Sequence, residues 1–311
     1  MKTPILFIIF NNINTVEKVF GAIKKQKPNK LFIACDGARK NLKGEEEKCK
    51  IVKDFVLNNI DWNCEINTMF LKDNLGPAKA IYKFIFWFLE KEEQGIILEH
   101  DCLPNDDFFV YCEELLEKYK HNEKISCICG NNSQEKVESC ENSYYFSYIP
   151  QLWGFAIWKR SLDGYDLYLK NYTLKEFKKD TKRMLTAKHE KRVFIDKFLS
   201  MKKQGYNTWD YQYMFNMWHK HSFSVVPKYN LVSNIGFCKS ALHCKNEKDS
   251  RSKEKTYPIL PLKHPNRIEV NKKADDVTYY ALWYKTNLKL LYRFFLRKFI
   301  MKRKFQLEKN K

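Results

Sequence analysis

No stretch of this 311-residue sequence approaches the roughly 20 consecutive apolar residues that a membrane-spanning helix needs. The apolar run in MKTPILFIIFNN is short and no small-residue cleavage site follows it, so it reads as a first strand and not as a secretory signal. The ten cysteines include no Cys-x-x-Cys pair, so a structural zinc site is not expected. Cys127 and Cys129 face the same way in a strand-like run but lack a second pair, and unpaired thiols fit a reducing cytoplasm. The GxxxxGK spacing of a phosphate-binding loop is missing, as are helix-turn-helix, finger and RNP patterns. Acids are also in short supply. Against 56 Lys and Arg stand 37 Asp and Glu, a net charge of +19 that suits an anionic partner such as nucleic acid, a phosphorylated substrate or an acidic membrane surface. What is present in quantity is apolar: 44% of residues, 15% aromatic, enough for a sizeable core and too much for global disorder.

The apolar residues fall into alternating patterns. PILFIIF reads as a buried strand, and Val16, Val19, Phe20 and Ile23 then recur at helical spacing, with Asn14 or Thr15 as the expected cap. KLFIACDG is a second strand ending at Asp36-Gly37, and CEINTMFL a third. DNLGPAKAIYKFIFWFLEKEEQ is a turn followed by an amphipathic helix with Ala80, Ile81, Phe84, Ile85, Phe88 and Leu89 on one face. GIILEHD is a fourth strand, and DDFFVYCEELLEKYK a helix opened by acids. Alternating strands and helices predict an α/β fold with a mostly parallel central sheet flanked by helices. Such sheets bind ligands beyond the carboxyl ends of their strands. Three of those ends here are polar: Asn11-Asn12, Asp36-Gly37 and Glu99-His100-Asp101. After residue 125 the pattern is mixed, residues 165–205 are basic and largely helical, and residues 245–273 are polar and lysine-rich. The expected organisation is a domain over 1–245, then a polar linker and basic tail over 246–311.

Glu99-x-Asp101 is a pair of carboxylates in close sequence, an oxygen donor set suited to Mg²⁺ or Mn²⁺ together with phosphate oxygens. A solvated turn is the competing reading. NLGPAKA enters a helix N-terminus and is a candidate anion site. Trp153 and Gly154 belong to a loop that faces a sugar or, on the other reading, packs the core. His219 and His221 read as surface residues closing a helix.

At this point the chain resembles a family. PILFIIFNN, FIACDGAR, DNLGPAKAI, IILEHDCLPNDDFF, IPQLWGFAIWKRS, NTWDYQYMF and NLVSNIGF follow one another as in the GT-A-fold glycosyltransferases, with a Rossmann-like sheet. More closely, the chain is similar to bacterial nucleotide-diphospho-sugar transferase-like proteins once labelled HlpA-like, and it also resembles N-acetylglucosaminyltransferase I. The resemblance covers about residues 3–245. It implies a UDP-sugar donor and Mn²⁺ or Mg²⁺. Asp36 then accepts a hydrogen bond from the uracil ring, Asp101 is the direct metal ligand with Glu99 beside it, and Glu99 and His100 lie against the ribose and donor sugar. Asn11, Asn12, Gly37, Arg39, Asn74, Gly76, Lys79, Trp153 and Gly154 complete the donor site, and His243 falls on a loop that closes over the diphosphate. Asp210 is implied to be the general base of an inverting transferase. The chain departs from the family at His100, where an Asp is usual, and at Asn12, where Arg is favoured.

Asp210 also stands on its own chemistry. Inverting transfer needs one carboxylate to take a proton from the attacking hydroxyl. An acid between Trp209 and Tyr211 is expected to be partly desolvated and so more basic. A plain helix N-cap is the competing reading, and the two are compatible. In the tail, Leu288, Leu291, Tyr292, Phe295 and Phe299 follow 3-4 spacing, while Lys289, Arg293, Arg297 and Lys304 lie on another face. A basic amphipathic helix of this kind fits an anionic membrane surface; docking on the domain is the alternative. The expectation is an inverting, metal-dependent glycosyltransferase, cytoplasmic and peripheral on the inner face of the cytoplasmic membrane, acting on a surface-glycan or lipid-linked acceptor. A sugar nucleotidyltransferase and a basic nucleic-acid- or membrane-surface-binding protein are the alternatives. The first of these lacks its glycine-rich loop, because FNNINT follows the first strand.

Overall fold

Ile5–Ile9 (β1) is buried at every position, which only a central strand covered on both faces can be. In this computed structural model, which describes residues 1–137, 140–205, 207–237 and 254–284, β1 pairs in parallel with Lys30–Cys35 (β2) on one side and with Gln94–Glu99 (β4) on the other. Glu65–Phe70 (β3) adds to β2 in parallel at the sheet edge, and its alternate residues are exposed there. Beyond β4 come Phe155–Trp158 (β8), Ile125–Cys129 (β6), Phe223–Pro227 (β9) and Tyr144–Ser147 (β7). Of these eight strands only β8 and β7 run against their neighbours. A mostly parallel sheet flanked by helices is the fold class expected from the sequence. A small antiparallel ladder, Cys102–Pro104 (β5) with Val232–Asn234 (β10), lies beside it.

Two apolar layers cover the sheet. Ile13–Gln26 (α1), Glu45–Asn58 (α2) and Asp106–Lys118 (α4) pack on the face that carries Ile5, Phe7, Ile33 and Leu98. Pro77–Lys91 (α3), Leu174–Met184 (α5), Lys188–Gln204 (α6) and Asp210–His219 (α7) cover the face that carries Leu6, Ile8, Phe32 and Ile97. Each face thus takes alternate residues of the same strand, as a period of two requires. The predicted faces of α1 and α3 are the buried ones. The cap of α1 differs: Asn12 holds that position, and its carbonyl accepts from the Val16 amide at 3.1 Å. α4 is capped by Asn105, whose Oδ1 accepts from the Phe108 amide at 3.1 Å, with Asp106 and Asp107 in its first turn.

Residues 254–284, read from sequence as the start of a polar linker and tail, run along the domain. The Tyr257 amide donates to the Asn230 carbonyl at 2.9 Å, Ile259 is buried, and Val270 bridges to Phe146. Lys272–Tyr279 (α8) follows, and buried Asp275 accepts from the Tyr148 amide at 3.0 Å and from the Ser147 hydroxyl. Among the described residues, no helix is long and apolar enough to cross a membrane. The amphipathic tail from residue 285 lies outside the described residues.

Candidate active site

The strand order places β1 between β2 and β4, so the chain winds one way from β1 through β2 to β3 and the other way into β4. The crevice beyond the carboxyl ends of β1 and β4 is the switch point of such a sheet. Asn11 and Glu99 stand there, and Ile8 of β1 is in register with Glu99.

At the end of β2 the Asp36 carboxylate is fully engaged. Oδ1 accepts from the Gly37 and Leu75 amides, both at 2.9 Å, and Oδ2 accepts from the Gly76 amide at 2.9 Å and Asn74 Nδ2 at 3.1 Å. Two lone pairs on each oxygen are thereby used. Burial pushes the Asp36 carboxyl up, and the amide hydrogen bonds oppose it. Gly37 permits the arrangement, since a β-carbon there would stand 2.4 Å from the Asp73 carbonyl carbon. Gly76 turns into α3 at φ +76°, and a β-carbon on it would lie 3.4 Å from Asn207 Oδ1. The Asp36 corner therefore abuts the segment that leads to Asp210. Lys79, in the first turn of α3, is exposed.

Arg39 is directed at Glu45, a residue the sequence reading missed. Its Nε lies 2.8 Å from Oε2, Nη2 bonds Oε1, and the Arg39 amide donates to Oε2 at 2.8 Å. Asn11 Nδ2 reaches Oε1 at 2.7 Å. Glu45 is buried, and the Arg39 guanidinium holds its carboxyl below the usual range. The pair fixes the ends of β1 and β2 against α2.

The third element is acidic. Burial, and then the charges of Asp101 and Asp210, push the Glu99 carboxyl up to about 8. Three carboxylates, two at the end of β4 and one opening α7, thus share one electrostatic neighbourhood. His100 is partly exposed, and its amide is tied to the Ile8 carbonyl at 2.8 Å. Asp101 is covered by the end of the NLVSNIGF segment, to which the sequence reading gave no site role: the Ile235 amide donates to the Asp101 carbonyl at 2.8 Å, and Gly236 lies against its carboxylate.

Asp210 differs from expectation in two respects. Trp209, not Asp210, occupies the N-cap of α7, so Asp210 is the first helical residue. Its carboxylate is exposed and not desolvated by its neighbours, because Trp209 turns inward to stack on Phe155 at 5.5 Å. Asp210 Oδ1 accepts from the Tyr211 amide at 2.9 Å and from the Thr208 hydroxyl.

The Trp153 ring meets Phe237 at 6.1 Å, beside Gly236, and its amide donates to Asn131 Oδ1 at 3.1 Å. Gly154, at φ +65°, gives close approach to Val232 and Leu98, which a β-carbon would meet at 3.0 and 3.1 Å; its neighbours are core side chains. His243 lies outside the described residues. His219 and His221 sit away from this rim, at the other end of α7, on Asp180.

Glu99 and Asp101 offer hard oxygen donors two residues apart, with Glu99 pushed up by burial first and by the neighbouring carboxylates second, and this fits a divalent cation sharing its shell with phosphate oxygens. Among the described residues, no group of three or more His, Cys, Asp or Glu side chains is placed to hold a metal ion, so a cation here would rest on the two carboxylates and its other ligands.

No protein-family model matches the chain, and no curated protein sequence matches it. Solved structures do. GalNAc-T7 with UDP, GalNAc and Mn²⁺ is 12% identical at a TM-score of 0.45, over 75% of this chain; the chain spans only 44% of that one. The 4-diphosphocytidyl-2C-methyl-D-erythritol synthase of Anaerococcus prevotii is 10% identical at 0.39, over 74% of this chain and 91% of that one. Apo UDP-glucose pyrophosphorylase is 10% identical at 0.38, over 76% and 94%.

Proposed function

We propose that the protein is an inverting glycosyltransferase that moves a sugar from a UDP-sugar to an acceptor hydroxyl. The observation that carries this reading is the placement of Glu99 and Asp101 at the carboxyl end of β4 beside the β1/β4 switch point, within electrostatic reach of the exposed Asp210. Asp101 and Glu99 would hold Mn²⁺ or Mg²⁺, which when bound neutralises charge on the departing diphosphate. The exposed Asp210 takes the proton of the acceptor hydroxyl as that oxygen attacks the anomeric carbon and the bond to UDP breaks. Exposure leaves Asp210 accessible from the acceptor side, while Thr208 and the Tyr211 amide orient it. Arg39, Asn11 and Glu45 form the wall beside the base and ribose, with His100 and Trp153 near the donor sugar. Asp36 orders the base corner through the 74–76 turn. To accept from the uracil ring, it gives up one of its four bonds. The acceptor is a surface-glycan or lipid-linked hydroxyl at the inner membrane face, a reading supported by the basic amphipathic sequence of the tail.

A sugar nucleotidyltransferase is disfavoured by the link from β1 to α1. Only Phe10, Asn11 and Asn12 separate them, with no glycine to wrap a triphosphate. A thermal-shift panel of UDP-, GDP-, CDP- and dTDP-sugars, with and without Mn²⁺, tests the proposal. A UDP-sugar with Mn²⁺ stabilises the protein, by about 2.7 kcal/mol at a hundred times its Kd. Absence of stabilisation by every nucleotide sugar overturns the reading.

A further inference from the structure

Residues 170–203 hold twelve Lys and Arg against four Asp and Glu, a net of +8 out of the chain's +19. The fold makes the imbalance sharper than the sequence does. Asp180 is buried, accepting from the Tyr172 hydroxyl at 2.6 Å and facing His219 and His221 at 3.3 and 3.4 Å. Glu190 is buried and turned back on the Ala187 amide at 3.0 Å. Glu176 closes the capping box of α5 on Thr173, 2.9 Å from its amide. Asp180 and Glu190 are thus buried within the helical pair or at its seam with α7, and only Glu176, exposed at the start of α5, and Asp196 remain on the outer surface to offset the cations.

The cations fall outward by helical geometry. On α5, Phe177, Thr181 and Met184 face the core, so Lys175, Lys178, Lys179 and Lys182 form the opposite, exposed face. On α6, Lys188, Arg192 and Lys203 are exposed, with Phe194 and Phe198 buried behind them. Among the described residues none of these seven cations is in an ion pair. Large apolar side chains stand exposed among them: Leu199 on α6 at 43% and Tyr168 just before α5 at 55%. Cations interspersed with solvent-facing apolar and aromatic groups match a lipid headgroup layer, where charge attracts the surface and apolar groups enter it.

We infer that the α5–α6 face docks on an anionic lipid surface. α6 ends at Gly205, and the chain passes from there to Asn207, Thr208 and Asp210. Asp210, the carboxylate assigned to the acceptor, thus follows this face by a few residues of chain. The docking needs no nucleotide sugar and stands or falls apart from the transferase reading.

The test uses the full chain, with its basic tail intact, and vesicles of phosphatidylcholine alone or with phosphatidylglycerol. Wild-type protein sediments with the anionic vesicles and not with the neutral ones. In the Lys178→Gln, Lys179→Gln, Lys182→Gln variant, glutamine keeps helix propensity. Partitioning falls about 100-fold, as expected for three cations at about 1 kcal/mol each, while the melting temperature holds. Lys188→Gln, Arg192→Gln, Lys203→Gln repeats the test on α6 should the first variant not fold. Unchanged partitioning of a folded variant places the contact in the tail and overturns the inference. So does equal sedimentation with neutral and anionic vesicles, or binding of double-stranded DNA at the same salt without binding of vesicles.

Discussion

Gly236 lies flat against the Asp101 carboxylate: a β-carbon on it would stand 2.3 Å from Oδ2 and 2.7 Å from the Asp101 Cβ. The two residues are joined by the main chain as well, through the bond from the Ile235 amide to the Asp101 carbonyl at 2.8 Å. The strand end with the proposed metal ligand is thus roofed by backbone, and the roof has room for glycine alone.

Gly236→Ala forces either the roof or the carboxylate to move. The strain is about 1–3 kcal/mol, drawn from stability or from metal-dependent nucleotide affinity, where about 1.4 kcal/mol is tenfold. Urea unfolding and calorimetry together register it. No change in either contradicts the close approach.

A second consequence concerns pH. Burial pushes the Asp275 carboxyl up to about 7 from its ordinary 3.8. The folded state therefore holds this proton more tightly than the unfolded one. The associated stability is complete below 3.8 and is lost as pH rises towards 7, at up to about 1.4 kcal/mol per pH unit. Asp275→Asn can still accept from the Tyr148 amide, and it removes the slope. Urea midpoints of both proteins between pH 4 and 8 measure the difference, and parallel curves would contradict the assignment.

Asp210→Asn separates the proposed base from a merely structural first-turn residue. The amide oxygen can keep the bond from the Tyr211 amide, so the melting temperature holds. It cannot take a proton, so turnover falls about 10²- to 10⁴-fold. The assay is UDP release in the presence of acceptor, alongside the Kd for UDP-sugar, which stays where it was. Near-normal turnover by the folded variant removes Asp210 from the chemistry.

Much of this was readable in the chain, and the exceptions have physical causes. β1, β2 and β4 announce themselves because a strand buried on both faces must be apolar throughout, and α3 because six apolar residues share one face. α2 went unread: its first residues are Glu45, Glu46, Glu47 and Lys48, and its buried apolar side is only Cys49, Val52 and Val56. β3 reads as a strand, yet its edge position leaves Ile66 and Phe70 exposed. Glu45 looks like one more acid in a polar run until the fold sets Arg39 and Asn11 on it. Gly236 carries no local signal, since its constraint comes from Asp101, far away in sequence. The exposure of Asp210 is not legible in the sequence: Trp209 is adjacent in the chain and turns away to Phe155. The packing of residues 254–271 was hidden for a similar reason. That segment is held through its backbone, as where the Ile259 amide meets Asp107 Oδ2 at 2.7 Å, and backbone bonds ask little of composition.

The central claim is that Asp101 and its neighbours bind a metal-linked nucleotide diphosphate, and calorimetric titration of UDP with and without Mn²⁺ tests it most directly. Wild-type protein binds UDP with Mn²⁺ and far more weakly without it, and Asp101→Ala, with its fold intact, loses the metal-dependent part. Undiminished Mn²⁺-dependent binding by Asp101→Ala, or no UDP binding by the wild type under either condition, contradicts the account.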